Sequence, residues 1–424
     1  MFIYQDMEEI FAIKKQILEL VKPTLKDREK YKKKLSKIIQ KIMKYSKKKN
    51  IPLNKVVVAG SFARNTSLKD NTDFDLFLLF DKNVELNKIV KYNKKIIYSC
   101  FWNRRLVESY SEHPYVQYQR KKYKIDFVPA YEIKDYKERK TAVDRTPLHL
   151  KYSQENMSDK QRNDVLVLKQ FLKNNLLYGS DQNISGFSGY LVEIMILYYK
   201  DFENFLVHFP KLKGESRIVL EKDGKKEYSD PLIVIDPVDP NRNVAAALSL
   251  KQFERTKKLC KIFSEKPSRE FFFSDPEPNL EKVLVYKTKK PEKNTDISYG
   301  MVNRTLKRIK TTLPEINETN SYIDSDLYLV FSLSKLELEK TFEVKGPSAK
   351  DIENGKKFKE KHPIVYEKNG LLFAKEENKE TDVEKIIDSQ VTQYFGKSKK
   401  ITKIDADKII LKKKILEAKG LINL

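Results

Sequence analysis

The stretch GSFARNTSLKDNTDFDLFLLF, residues 60 to 80, holds the densest group of residues able to do chemistry. Asp73 and Asp75 stand two apart in a run that reads as a strand, and the period of two turns both carboxylates to one side of a sheet. Two like charges so close repel, so one carboxyl is driven to keep its proton unless a divalent cation, which takes oxygen ligands, resolves the conflict. An exposed acidic edge strand would need no cation, but Leu76, Phe77, Leu78, Leu79 and Phe80 make this run too apolar for the surface. A third carboxylate, Asp126, lies in YKIDFVPAY between Ile125 and Phe127, again a lone acid in an apolar strand. Gly60 lets the backbone approach a ligand closely, and Ser61 offers a hydroxyl and an N–H where a helix can begin, a natural phosphate contact. Arg64, three residues on, shares that face. A Gly-Ser pair by itself is only a turn. Beside three acids from two strands that can lie together, it points to in-line attack at phosphorus on two metal ions, with no histidine base required.

The elements that must position these groups follow from the flanking pattern. One helix runs to about Leu20, Val21-Lys22-Pro23 interrupts it, and a strongly basic second helix follows in DREKYKKKLSKIIQKIMKYSKKKN. Strands are predicted over 56–59, 73–80, 105–110, 115–120 and 123–128, the last closed by Pro129, giving a mixed sheet. From Thr146 the period becomes helical through DKQRNDVLVLKQFLKNNLLYG and GYLVEIMILYYKDFENFLVHF. Short strands over 217–220 and 232–236 and the proline-rich IDPVDPNRNVAAALSL then lead into a helix, KQFERTKKLCKIFSE. Strands over 268–273, 283–287 and 327–336 between polar helices suggest a further α+β module, ending in a basic tail. The expected boundaries are 1–143, 144–265 and 266–424.

Composition narrows the class. A chain of 424 residues, 40% apolar and 34% charged, has material for several cores and is not wholly disordered. Its apolar runs are too short to cross a bilayer, and the acidic, amphipathic N-terminus is not a secretory signal, so a cytoplasmic protein is expected. Cys100 and Cys260 lie far apart and read as packing residues, and the four histidines show no metal spacing, which leaves carboxylates as the metal ligands. Lys and Arg number 84 against 60 Asp and Glu, a net charge of +24, which attracts polyanions or simply decorates solvated faces.

The pattern GS, then DxD, then a distant Asp resembles the DNA polymerase β-like nucleotidyltransferases. TAVDRTPLHLKY, ISGFSGYLVEIMILYY, IDPVDPNRNVAAALSL and FKEKHPIVYEKNGLLFAKE are similar to stretches of the archaeal-type (class I) CCA-adding enzymes. The likeness spans the chain and is strongest from Gly60 to Leu250. It implies an α+β multidomain protein: a polymerase β-like head at 1–143 with the mixed sheet, a helical neck at 144–265, and an α+β body and tail at 266–424 that bind the acceptor stem and top half of tRNA. The implied activity is template-independent addition and repair of the tRNA CCA end from CTP and ATP with Mg2+, releasing pyrophosphate. Asp73, Asp75 and Asp126 would be catalytic metal ligands, with Ser61 and Arg64 on the triphosphate. Relatives often carry Glu where Asp73 stands, which keeps the carboxylate but shortens its reach.

The resemblance adds four nucleotide contacts. Thr146 and Pro147 suit the N-cap and first position of a helix, placing His149 in its first turn, where the ring faces a phosphate or merely starts the helix. Lys169 shares a helical face with Val165, Leu172 and Leu176, so its ammonium needs an anion or must snorkel to water. Tyr178 reads equally as core. Arg242, in the IDPVDPNRNV turn, is implied in choosing C or A, although loop arginines are more often solvated. Lys397, Lys399, Lys400, Lys403, Lys412, Lys413 and Lys414 form a basic cluster able to follow phosphates. A homodimer is compatible with the sequence. The same carboxylate site would serve a poly(A) polymerase, and the fold could persist as a silent RNA-binding scaffold, although all three acids and Arg64 are retained. Size, charge and the long C-terminal region argue against a small-molecule nucleotidyltransferase.

Overall fold

A computed structural model describes residues 4–404 apart from 71–72, 103–104, 111–112, 121–122, 183, 225, 274–281, 290–294, 324–325 and 397–401. The chain forms two compact units, residues 1–275 and 276–423. Among the described residues no helix is long and apolar enough to cross a membrane.

The first unit begins with α1 (Tyr4–Val21) and α2 (Leu25–Lys48), the latter capped by the Thr24 hydroxyl accepting from Asp27 N–H. A sheet follows, built from β1 (Leu53–Ala59), the one-turn helix α3 (Gly60–Ala63), β2 (Asp73–Phe80), α4 (Leu86–Phe101), β3 (Leu106–Tyr110), β4 (Pro114–Arg120) and β5 (Tyr123–Tyr131). Strand order is β1-β2-β5-β4-β3, with β2 and β5 parallel and the other neighbours antiparallel, so the sheet is mixed as expected. Alternation along β2 sorts its side chains. Phe74, Leu76, Leu78 and Phe80 pack with α2 and α4, while Phe77 and Leu79 join Ala59, Val128 and Ala130 on the other face. Asp73, Asp75 and Asp126 fall in this second set by the period of two.

The helical layer comprises α5 (Thr146–Asn156), α6 (Asp159–Asn174), α7 (Gly189–Tyr199) and α8 (Phe202–His208), then a two-stranded parallel pair β6 (Ser216–Ile218) and β7 (Leu232–Val234), then α9 (Leu250–Glu265) and α10 (Glu270–Phe273). Its core takes in Ile10, Ile13, Ile17 and Val21, so α1 packs here and not on the sheet. Lys14 on α1 reaches Glu203 at 2.9 Å and also pairs with Asp164.

The second unit contains β8 (Val283–Lys289), α11 (Thr295–Thr312), β9 (Ile316–Ile323), β10 (Asp326–Leu333), β11 (Thr341–Ser348), α12 (Ile352–Lys361), β12 (Val365–Lys368), β13 (Leu371–Glu377), α13 (Val383–Phe395) and β14 (Thr402–Ile404). Two sheets, β14-β8-β10-β9 and β11-β13-β12, give it an α+β character.

Four local expectations need correcting. Strand β5 continues through Pro129 to Tyr131, because pairing with β4 ends at Phe127 and the missing N–H breaks no bond on that side. Thr146 is the first residue of α5 and not its cap, and the side-chain capping belongs to the preceding turn, where Asp144 accepts from the backbone N–H of Thr141 and Lys140. The segment 189–208 is two helices, broken at Lys200 (φ 78°) and restarted by the Asp201 cap. Residues 270–273 are helical, and Phe272 joins an aromatic cluster with Phe171, Phe202 and Phe263. In the basic tail, Lys403 lies in β14; Lys397, Lys399, Lys400, Lys412, Lys413 and Lys414 lie outside the described residues.

Candidate active site

The parallel ladder sets Asp75 directly beside Asp126, and Asp73 beside Lys124. Asp75 is pushed up to about 6, first by burial and then by the Asp126 charge. Burial also raises Asp126, against the pull of Lys124 and a 2.9 Å hydrogen bond donated by Gln117 Nε2 to its Oδ1. Asp73 is more exposed, with Lys124 Nζ 3.6 Å from its Oδ2 and 4.0 Å from Oδ2 of Asp126. Lys124 is raised because these acids outweigh its own burial.

Gly60 abuts this pair. Its φ is +68°, which disfavours a side chain, and a Cβ placed on it would lie 1.9 Å from Oδ2 of Asp75. The turn into α3 therefore comes up against the carboxylate and leaves no room for a methyl group. Among the described residues no group of three or more His, Cys, Asp or Glu side chains already converges as a metal cage. The donor set still fits a hard divalent ion: oxygen ligands on one sheet face, mutually repelling, in space kept clear by a glycine.

A second cluster forms around Glu193 of α7, which is fully buried. Arg64 Nε lies 2.7 Å from its Oε2, Lys169 Nζ lies 3.6 Å from Oε1, Thr66 donates to Oε1 at 2.6 Å, and Ser153 donates to Oε2 at 3.2 Å. Burial pushes the Glu193 carboxyl up, but Arg64 and Lys169 outweigh it and the net shift is down. Lys169 also donates to the Thr66 carbonyl at 2.8 Å, and burial brings it down to about 8 against the pull of Glu193. Of the two options the sequence left for Lys169, an anion or a route to water, the structure shows an anion, and it is Glu193 of the protein itself. Tyr178 is pushed up to about 12 by burial and then Glu193. A Cβ on Gly189 would come within 3.0 Å of its hydroxyl and 3.7 Å of Lys169 Nζ.

A third cluster forms around Asp236, just after β7. His149 Nε2 lies 2.8 Å from Oδ2, Arg242 donates to the same oxygen at 2.9 Å, and Val238 N–H donates to Oδ1 at 3.0 Å. Burial opposes ionisation of Asp236, yet His149 and Arg242 hold it down at about 2. His149 is lowered chiefly by burial, so the neutral ring donates from Nε2 to the carboxylate. Nearby, buried Asp239 accepts from Arg145 at 2.7 Å, which ties the prolyl turn to the start of α5.

Tyr190 joins the clusters. Its ring stacks on His149 at 4.2 Å, the Arg64 guanidinium sits 6.0 Å above it, and its hydroxyl lies 3.4 Å from Asp236. Arg64 in turn lowers Asp75, which links this region electrostatically to the carboxylates. Eight of the nine sequence-predicted residues therefore fall in the three clusters, and Ser61 follows Gly60 on α3. Glu193, Asp236, Tyr190 and Thr66 were not among them. A lone acid in the apolar helix GYLVEIMILYY was the available signal for Glu193, by the reasoning that picked out Asp126.

Residues 35–149 match the family model of the nucleotidyltransferase domain, and residues 163–273 match that of the tRNA nucleotidyltransferase second domain. A CCA-adding enzyme of Methanocaldococcus jannaschii is 35% identical over 393 residues, covering 86% of this chain and 87% of that protein. One from Sulfurisphaera tokodaii is 37% identical over 306 residues, covering 71% of this chain and 72% of that protein. One from Picrophilus torridus is 35% identical over 321 residues, 73% of each.

Proposed function

Since the chain belongs to the CCA-adding enzymes, we propose that it adds and repairs the 3′-terminal CCA of tRNA, drawing on CTP and ATP and releasing pyrophosphate. The juxtaposition of Asp75 and Asp126 on adjacent parallel strands, with Gly60 against Asp75, supports nucleotidyl transfer, and the similarity to CCA-adding enzymes over most of the chain carries the choice of product. Asp73, Asp75 and Asp126 would hold Mg2+, which when bound lowers the pKa of the attacking 3′-hydroxyl and neutralises charge on the leaving pyrophosphate.

The chain's own groups do the rest. Ser61, in the single turn of α3, and Arg64, the residue that caps its C-terminal end, receive the triphosphate, with Lys169 behind them as a second cation and Tyr178 as a hydroxyl donor. Glu193 keeps both cations in place before substrate arrives, so little reorganisation accompanies binding. Asp236 locks both His149 and Arg242: the ring, its Nε2–H spent on that carboxylate, can offer the nucleotide only Nδ1 as an acceptor, and Arg242 keeps enough exposure to donate to a base or an RNA phosphate. The second unit and the positive balance of the chain suit tRNA binding through shape and phosphate contacts.

The test is to incubate the purified protein and Mg2+ with a labelled tRNA ending before CCA, with CTP alone, ATP alone or both, and to size products to one nucleotide. Two additions from CTP, and three then arrest from both, are expected. Long tails from ATP alone would replace the reading with poly(A) polymerase, and no extension would leave an RNA-binding fold.

A further inference from the structure

On the other flank of α3, away from the carboxylates, a cavity of about 460 Å³ opens between α2 and the sheet edge. That volume is within the roughly 300–1,000 Å³ typical of small-ligand sites. One wall is a single face of α2, bearing Arg28, Lys32, Ser36 and Gln40 at successive fourth positions, with Leu35 and Ile39 beneath. The other wall is Val58 of the edge strand β1 with Phe62 and Ala63 of α3, closed by Asn65 and by Gln154 of α5.

The lining has two cations and no acid. Arg28 donates to the Phe62 carbonyl at 2.9 Å and to Asn65, and its guanidinium lies 5.2 Å over the Phe62 ring, yet neither it nor Lys32 has a carboxylate partner among the described residues. Burial alone lowers Arg28, so the half-buried charge stands uncompensated. The side-chain amides of Gln40 and Gln154 also have no partner among the described residues. Helix α2 adds a positive field, with eleven basic residues against two acidic ones. An apolar floor, flanking amides able both to donate and to accept, and cations at one end match the base, base edges and phosphate of one nucleotide.

We propose that this groove is a second nucleotide-binding site, taking one unpaired nucleoside phosphate beside the catalytic turn. It can come from the single-stranded 3′ end of the RNA, a source that rests on the proposed function, or from free nucleotide. The backbone that forms its wall, residues 62–65, includes Arg64 and continues from Gly60 and Ser61, so occupancy would brace the turn that meets the triphosphate.

The full chain is tested with an acceptor-stem hairpin carrying a three-nucleotide unpaired 3′ extension, the same hairpin blunt, and ATP alone, using anisotropy for RNA and equilibrium dialysis for ATP. Lys32→Glu changes the rim without touching the core, and Ser36→Trp fills the cavity from an exposed helix position. If RNA is the occupant, each variant weakens the extended hairpin about tenfold and the blunt one less than about twofold, and Lys32→Arg restores binding. If free nucleotide is the occupant, the variants lose one of two ATP sites and bind both hairpins as wild type does. Unchanged binding of extended hairpin and ATP in both variants overturns the proposal. A wild-type protein that binds these probes but extends no tRNA refutes the function above and leaves the groove standing.

Discussion

Replacing Gly60 with alanine separates the cost of folding from the cost of chemistry. The new Cβ would lie 1.9 Å from Oδ2 of Asp75, and real contacts essentially never fall below 3.0 Å, so the carboxylate or the turn must move by about 1.1 Å. The left-handed backbone (φ +68°) adds about 1–2 kcal/mol of strain. A fold of ordinary stability, roughly 5–15 kcal/mol, survives that. A displacement of about 1 Å at the reacting centre costs on the order of 100-fold in rate, about 2.7 kcal/mol of barrier. Single-turnover incorporation of CTP should therefore fall about 100-fold, while urea unfolding shows a loss of only about 1–2 kcal/mol. Turnover within about threefold of wild type in a folded Gly60→Ala protein would refute the claim that Asp75 must sit where the glycine allows it.

Asp126→Ala should abolish transfer while leaving tRNA affinity within about twofold, because phosphate contacts and not this carboxylate carry RNA binding; gel shift and incorporation assays check both. Glu193→Gln leaves Lys169 buried beside Arg64 with no anion, so unfolding free energy should drop by about 3–5 kcal/mol, and CTP should raise the variant's Tm more than that of wild type. The Asp236 cluster predicts acid sensitivity. Below its ordinary value near 6.5, His149 binds a proton more readily unfolded than folded, so stability begins to fall there. Asp236, held at about 2 against an ordinary 3.8, contributes stability that is complete above 3.8 and is lost as pH falls toward 2. Urea midpoints measured from pH 7.5 to 3 should show both losses, and Asp236→Asn should remove the lower one.

The carboxylate strand was legible because alternation and apolar content act over the same eight residues, Asp73 to Phe80, and no other structure satisfies both. The pairing of Asp75 with Asp126 was only implied, since register between distant strands is set by the whole face they bury. Residues 268–273 misled because a short aromatic run suits a strand and a buried helix turn equally, and the neighbours Phe171 and Phe263 decided it. Lys169 advertised a buried charge in the sequence, but not the Glu193 that answers it on another helix. Arg242 looked like a solvated loop cation until the neighbouring Asp236 fixed it, a contact six residues away in a turn whose shape the prolines hide from simple periodicity.

The seating of α1 has a consequence for biosynthesis. Its stripe Ile10, Ile13 and Ile17 joins the core of the helical layer, in which α1 packs on α6, and its Lys14 pairs with Asp164 of α6 and Glu203 of α8, the nearer of which ends at Asn174. At translation rates of roughly 5–20 residues per second, the ~150 residues between them take about 8–30 s to emerge. During that interval the nascent chain carries an amphipathic helix with no mate, and the sheet between must fold around a closure that has yet to be made. The first unit is therefore sealed late and from both ends at once, so truncation anywhere before α8 should yield a chain that chaperones hold.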